Sequence, residues 1–212
     1  MLSRERVFTA LCKGQPDCVP ITFGFHPTNL PQIQNINSDE YFGTDIRSIG
    51  FETQQEDEKF LHYLKSLPKH ISMGTLANLH TYWEWRYHPE TPGSEPLAKI
   101  RTTKELDFLS LPNITDSSYH SLHEKVKTFH NACLAVMGIP PHLGGEVFET
   151  AWRLRGFRQL LFDLNYNPEL ANYLFDQITS MLIQNAIVLA HAGVDILCLD
   201  DDVGTPTTMI IG

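Results

Sequence analysis

The stretch NPELANYLFDQITSMLIQNAIVLAHAGVDILCLDDD, Asn167 to Asp202, decides the fold. Its first part reads as a helix: Asn167 can cap it, Pro168 suits the first helical position, and Glu169 sits beside the positive end of the dipole. Leu170, Leu174, Ile178, Met181, Leu182 and Leu189 recur at helical spacing and make one apolar stripe. Gly193 stands where a left-handed residue ends a helix. Val194 to Leu199 (VDILCL) follows as a continuous apolar run, the pattern of a strand buried on both faces, and it ends in three carboxylates, Asp200, Asp201 and Asp202. A long helix feeding such a strand is the repeating unit of a parallel sheet with helices outside it, which places the chain in the α/β class.

Working outward, Ala132 to Ile139 (ACLAVMGI) is a second continuous apolar strand, preceded by a polar helix over Ser117 to His130. Asp45 to Phe51 (DIRSIGF) is a weaker strand. Val19 to Phe25 (VPITFGF), β-branched and aromatic, reads as strand one and breaks at His26-Pro27. Before it, Ser3 can cap a short helix carrying Val7, Phe8 and Leu11 on one face, closed by Gly14. Between Gly74 and Ile100, Trp83, Trp85 and the loop PETPGSEP fit a β-hairpin excursion. No repeat, low-complexity run or linker interrupts residues 1–212, which are taken as one domain.

The composition excludes several function classes. A net charge of −9 with scattered basic residues does not build a surface for nucleic acid, although a concave site can still be locally basic and take an anionic small molecule. The longest apolar run is far short of a membrane span, and no leader-like apolar segment follows the charged N-terminus, so the sequence reads as soluble and cytoplasmic. Cys12, Cys18, Cys133 and Cys198 form no CxxC pair and read as reduced thiols. There is no GxGxxG, P-loop, HExxH or GxSxG motif.

Several pieces in order resemble the uroporphyrinogen decarboxylase and corrinoid methyltransferase superfamily. They are SRERVFTAL with PDCVP, FGTDI at Phe42 to Ile46, WEW at Trp83 to Trp85, PLAKIRTTKELDFLSLP at Pro96 to Pro112, GGEVFETAWRLRGFRQLLFDLNYNPELA at Gly144 to Ala171, and AGVDILCLDDDVGT at Ala192 to Thr205. The resemblance implies a (β/α)8 TIM barrel. Because such domains are longer than this chain, it implies an incomplete barrel, about its first four strands, inactive alone. In its complete form the protein would act on a tetrapyrrole or in methyl transfer between a corrinoid and a thiol. Zinc, held in methyltransferase members by a His-x-Cys pair and a later Cys, and a corrinoid belong to that implication; no cofactor or metal site is assigned within these residues. Two positions depart from the decarboxylases. Phe23 to Leu30 lacks their arginines, and Arg153 stands where they carry an active-site tyrosine.

In a barrel, reactive groups gather at the C-terminal strand ends. Alternation puts Asp200 and Asp202 on the face toward the barrel mouth and Asp201 on the other, while alignment with the decarboxylases makes Asp201 the shared acid. These three and His26 are the candidate catalytic residues, with an exposed or helix-capping run as the plainer reading of the carboxylates. Gly145, Phe148, Glu149, Arg153 and Asp45 are the candidate substrate-binding residues. Against this, Glu146 and Glu149 can simply favour a helix start, and Arg153 and Arg155 can pair with them. His120, His123 and His130 read as a solvated helix face. Unpaired strand edges at Val19 to Phe25 and Val194 to Leu199 would let the chain associate with a partner chain or with itself.

Overall fold

The computed structural model of the chain describes residues 1–22, 38–50, 95, 97–106, 116–142 and 145–210. In order these form α1 (Ser3–Leu11), α2 (Ser38–Phe42), β1 (Ile46–Gly50), α3 (Thr103–Leu106), α4 (Asp116–Asn131), β2 (Ala135–Ile139), α5 (Phe148–Arg155), α6 (Phe157–Tyr166), α7 (Pro168–Ala192) and β3 (Ile196–Leu197). The expected TIM barrel is not what these elements build. The described strands make a small open parallel sheet in the order β1-β2-β3, with Ile46 opposite Ala135 and Met137 opposite Ile196.

Local causes account for the missing strand length. Residues 19–22 of the expected first strand are not in the sheet. Pro20 has no N–H to give a ladder, and the one backbone bond from this stretch to β1's start runs from the Asp45 N–H to the Ile21 carbonyl, 2.8 Å. The remainder, Phe23 to Phe25, lies outside the described residues, as do His26, Gly144 and the Trp83–Trp85 hairpin. At β3, the last ladder bond is from Cys198 N–H to the Gly138 carbonyl, 3.0 Å. β2 starts at Ala135 rather than Ala132 because Cys133 adopts φ 60° and turns the chain.

The chain divides into two compact units. The described residues of the first come from Met1–Gly50, Ile114–Ile139 and Ala186–Cys198. Here Ile49, Leu122, Val126, Val136, Leu189 and Ala192 bury one another, with Phe129 and Val194 packed on them. Gly138 has no side chain because a Cβ would sit 3.2 Å from both Val194 methyl carbons. The described residues of the second come from Phe51–Asn113, Pro140–Asn185 and Leu199–Gly212. Its core is Leu97, Leu106, Phe148, Ala151, Leu154, Leu160, Leu170, Leu174, Ile178, Met181 and Leu182.

Helix α7 forms as its sequence dictates. All six stripe residues are buried, Ile183 and Ile187 off the stripe are half exposed, and Gly193 ends the helix at φ 95°. The Asn167 carbonyl accepts from Leu170 and Ala171 N–H groups at 3.1 and 3.2 Å. α1 differs in its ends. Leu2, not Ser3, is the cap position, with the Glu5 carboxylate reaching back to the Leu2 N–H, and Lys13, not Gly14, takes the left-handed turn at φ 60°. The break between α5 and α6 falls at Gly156, φ 88° and ψ 129°, a conformation that a side chain disfavours.

Two buried ion networks fasten the units internally. In the first, the Asp195 carboxylate accepts from Arg4 at 2.7 and 3.1 Å and from the Val136 N–H at 3.0 Å, and it lies 2.9 Å from His130 Nε2. His130 is therefore not part of a solvated face, while His120 and His123 are exposed. In the second unit Arg155 meets Asp163 at 2.6 Å, both side chains being 3% exposed, and it donates to the Leu97 and Ala98 carbonyls.

Candidate functional site

The segments that follow β2 and β3 in sequence, residues 140–142 with 145–153 and residues 199–203, meet in the second unit. Helix α5 starts at Phe148 with no side-chain cap of its own. Asp201, more than fifty residues away, supplies one. Its Oδ2 accepts from the Val147 and Phe148 N–H groups at 3.1 and 2.7 Å, and its Oδ1 accepts from Glu149 N–H at 3.0 Å. Three of the orphan donors of a helix start thus converge on one carboxylate, where the dipole also favours negative charge.

Gly145 makes this approach possible. A Cβ there would lie 2.7 Å from Asp201 Oδ1, 2.9 Å from the Asp200 carbonyl oxygen and 3.0 Å from Asp201 Cα. The glycine admits the neighbouring Asp200 and Asp201 main chain. Gly145→Ala should lower stability by about 1–3 kcal/mol through overpacking. Amide exchange at Val147, Phe148 and Glu149 should quicken; unchanged exchange would mean that the cap tolerates the methyl group.

Beside this cap, Glu146 is 4% exposed. Its N–H donates to the Asp200 carbonyl at 2.9 Å, and its Oε2 accepts the Asp200 N–H in return. Its other oxygen, Oε1, is buried with no hydrogen-bond partner. Burial pushes the Glu146 carboxyl above its ordinary value, and the charge of Asp200 adds to this. The Asp200 N–H and nearby His142 pull the other way without cancelling it. His142 Nδ1 and Arg153 Nε are likewise buried and unpartnered.

The sequence candidates fall into place unevenly. Asp200 and Asp202 are exposed rather than converging with Arg153, and Asp201 is turned inward as the helix cap. Arg153 pairs with Glu149 at 3.3 Å and lies over the Trp152 ring. Phe148 is a core residue, 3% exposed. Asp45 belongs to the first unit, where it accepts from Arg6 and from the Ile21 N–H at 2.8 Å. Burial raises its carboxyl, but hydrogen bonds from Ser3, Ile21 and Arg6 outweigh this and hold it below the ordinary range. Asp45 is thus held as a structural lock. His26 lies outside the described residues.

No family model, curated protein or solved structure matches this chain. Among the described residues, no group of three or more His, Cys, Asp or Glu side chains is placed to hold a metal ion, and no helix is long and apolar enough to cross a membrane. Glu146 and His142, with their buried unpartnered atoms, were not among the sequence candidates for the site. In sequence Glu146 looked like a dipole charge, and His142 was visible only as a histidine between Pro140-Pro141 and Gly144-Gly145 after an apolar strand.

Proposed function

We propose that the chain is part of a uroporphyrinogen-decarboxylase-like enzyme whose complete form acts on a tetrapyrrole or in corrinoid-dependent methyl transfer, with Glu146 as a proton-handling group. The ordered sequence segments from SRERVFTAL to AGVDILCLDDDVGT support the family reading, without a barrel being part of it. The observation that carries the chemistry is Glu146: a buried carboxyl with one committed oxygen, one free oxygen and a raised pKa. General acid–base catalysis uses such a group, since raising a carboxyl's proton affinity toward the working pH lets it both give and take a proton. Arg153 supplies a nearby cation in the sequence, with one donor unspent.

The test is turnover of uroporphyrinogen, and of a methylated corrinoid with a thiol, by protein extended beyond residue 212. Glu146→Gln should lower kcat about 10²–10⁴-fold in whichever reaction is found. Retention of full activity would remove Glu146 from the chemistry.

The same substitution should stabilise residues 1–212. A carboxyl whose folded pKa is raised costs stability as pH climbs from its unfolded value through its folded value, so the ionised form is the strained one. Glu146→Gln should therefore raise Tm by about 2–4 °C near neutrality, equivalent to ~1 kcal/mol, and by less at pH 4. An unchanged or lower Tm at every pH would show that Glu146 is not held against its charge.

A second reading, association with another chain, is favoured by the outer edges of β1 and β3, which pair with no other strand among the described residues. Leu197 on β3 is 40% exposed, and Leu199 and Val19, outside the ladder, are 71% and 80% exposed. Light scattering after size exclusion should give a mass above that of one chain, reduced by Leu199→Lys; a monomer at all concentrations would dismiss it.

A further inference from the structure

Glu146 and the residues on either side of it are all fastened to the same two aspartates. The Glu146 N–H donates to the Asp200 carbonyl at 2.9 Å, and its Oε2 accepts the Asp200 N–H. Gly145 packs so closely that a Cβ there would lie 2.7 Å from Asp201 Oδ1. The N–H groups of Val147, Phe148 and Glu149 reach the Asp201 carboxylate at 3.1, 2.7 and 3.0 Å. Every backbone N–H from Glu146 to Glu149 therefore ends on residue 200 or 201.

The clasp is anchored from both sides. The Asp201 carbonyl accepts the Val203 N–H at 3.1 Å, and Val203, whose own carbonyl accepts from Ile210 N–H at 3.0 Å, packs on the core of the second unit. On the helix side, the buried Thr150 Oγ1 donates to the Gly145 carbonyl at 2.7 Å. Ordering a glutamate side chain costs it rotamer freedom, so a carboxyl held by one accepted bond keeps its place only on a backbone that does not move.

We propose that Asp201 is a positioning residue for Glu146: by closing the first turn of α5 it keeps the Glu146 carboxyl buried, with Oε2 on the Asp200 N–H. This rests on the reading of Glu146 as a proton-handling group and adds what sets that group in place. The action is geometric. The Asp201 charge is spent on three N–H groups at the positive end of the helix dipole, and the titratable neighbours that act on the charge of Glu146 include Asp200 and His142. Without the carboxylate those three donors turn to water, the first turn of an eight-residue helix frays, and water reaches Glu146.

The experiment is a carbon-13 NMR titration of glutamate carboxyls in residues 1–212 and in the variants Asp201→Ala and Asp201→Asn, the Glu146 signal being identified by its loss in Glu146→Gln. Asp201→Ala should bring the Glu146 midpoint down toward the ordinary carboxyl value as water gains access. Amide exchange at Val147, Phe148 and Glu149 should quicken about 2–30-fold, the worth of a helix cap. Asp201→Asn keeps an accepting oxygen and removes the charge, so it should hold the midpoint near the native one. Faster exchange with an unmoved Glu146 midpoint would show a cap of purely local effect, overturning the proposal while leaving the proton-handling role intact. A midpoint lowered as far by Asn as by Ala would mean that Asp201 acts through its charge, which also overturns positioning. A native midpoint at the ordinary value would overturn both readings. The expected pattern, in a protein whose extended form stays fully active as Glu146→Gln, would uphold this inference and reject the chemical role of Glu146. Should Asp201→Ala fail to fold, Asp201→Ser, with its single acceptor, should give a midpoint between the native and ordinary values; a native midpoint there overturns the proposal.

Discussion

Arg155→Ala should destabilise the protein by about 3–5 kcal/mol, a large part of the ~5–15 kcal/mol that holds a domain together. The guanidinium is 3% exposed, and it serves three acceptors at once: Asp163, and the carbonyls of Leu97 and Ala98. Removing it strands a carboxylate that is itself 3% exposed and whose other side-chain partner among the described residues is Gln159 Nε2, at 2.9 Å. The cost comes from leaving a buried charge alone rather than from losing an attraction. Hence the double substitution Arg155→Leu with Asp163→Leu should recover much of the loss. Urea midpoints of the two single variants and the double variant measure this. If the single and double variants lose equal stability, the pair is not the buried unit that its geometry indicates.

The second large effect is at Asp195. Asp195→Ala should cost about 3 kcal/mol, because it leaves the Val136 N–H, Arg4 and His130 without their common acceptor. Arg4 is 42% exposed, so water recovers part of its share, which keeps the figure at the low end for a buried charge. The carboxyl also leaves a signature in pH. Burial raises its pKa, but the bonds from Arg4, Val136 and His130 prevail and hold it below the ordinary value of 3.8. A depressed carboxyl stabilises fully above its unfolded pKa, and that stability is lost as pH falls through the folded value. The native protein should therefore lose stability on going from pH 5 to pH 2.5 more steeply than Asp195→Asn does. Parallel curves would mean that Asp195 is not ionised by its partners.

What the sequence made legible was what depends on neighbours in the chain. Helix α7 was readable because Pro168, a stripe of six apolar residues and Gly193 are all local, and the structure keeps each in its expected role. Continuous apolar runs marked β2 and β3, where the ladder is shorter than the run, and the weaker stretch Asp45 to Phe51 marked β1. The barrel was an extrapolation from resemblance, and an open three-stranded sheet replaces it. The polar architecture was not legible, since its partners lie far apart in sequence. Asp201 meets residues 147–149, Asp195 meets Arg4 and His130, and Arg155 meets Leu97. Nothing in a run of three aspartates says which one turns inward. Alternation put Asp200 and Asp202 on the working face, but the chain has left the ladder after Cys198, so strand alternation no longer governs where those side chains point. Glu146 escaped for the same reason. Its partner is the Asp200 main chain, 54 positions later.

The cap on α5 also has a bearing on how the chain is made. Phe148 emerges from the ribosome well before Asp201, the residue that binds its N–H. At about 5–20 residues per second, the intervening stretch takes roughly 3–10 s to synthesise. Over that interval the first turn of α5 has no carboxylate to close it, and a helix of eight residues is too short to persist unaided. The nascent chain therefore carries an unfinished helix until its last described loop is translated, and slow codons between these two points would prolong its exposure to proteases and chaperones.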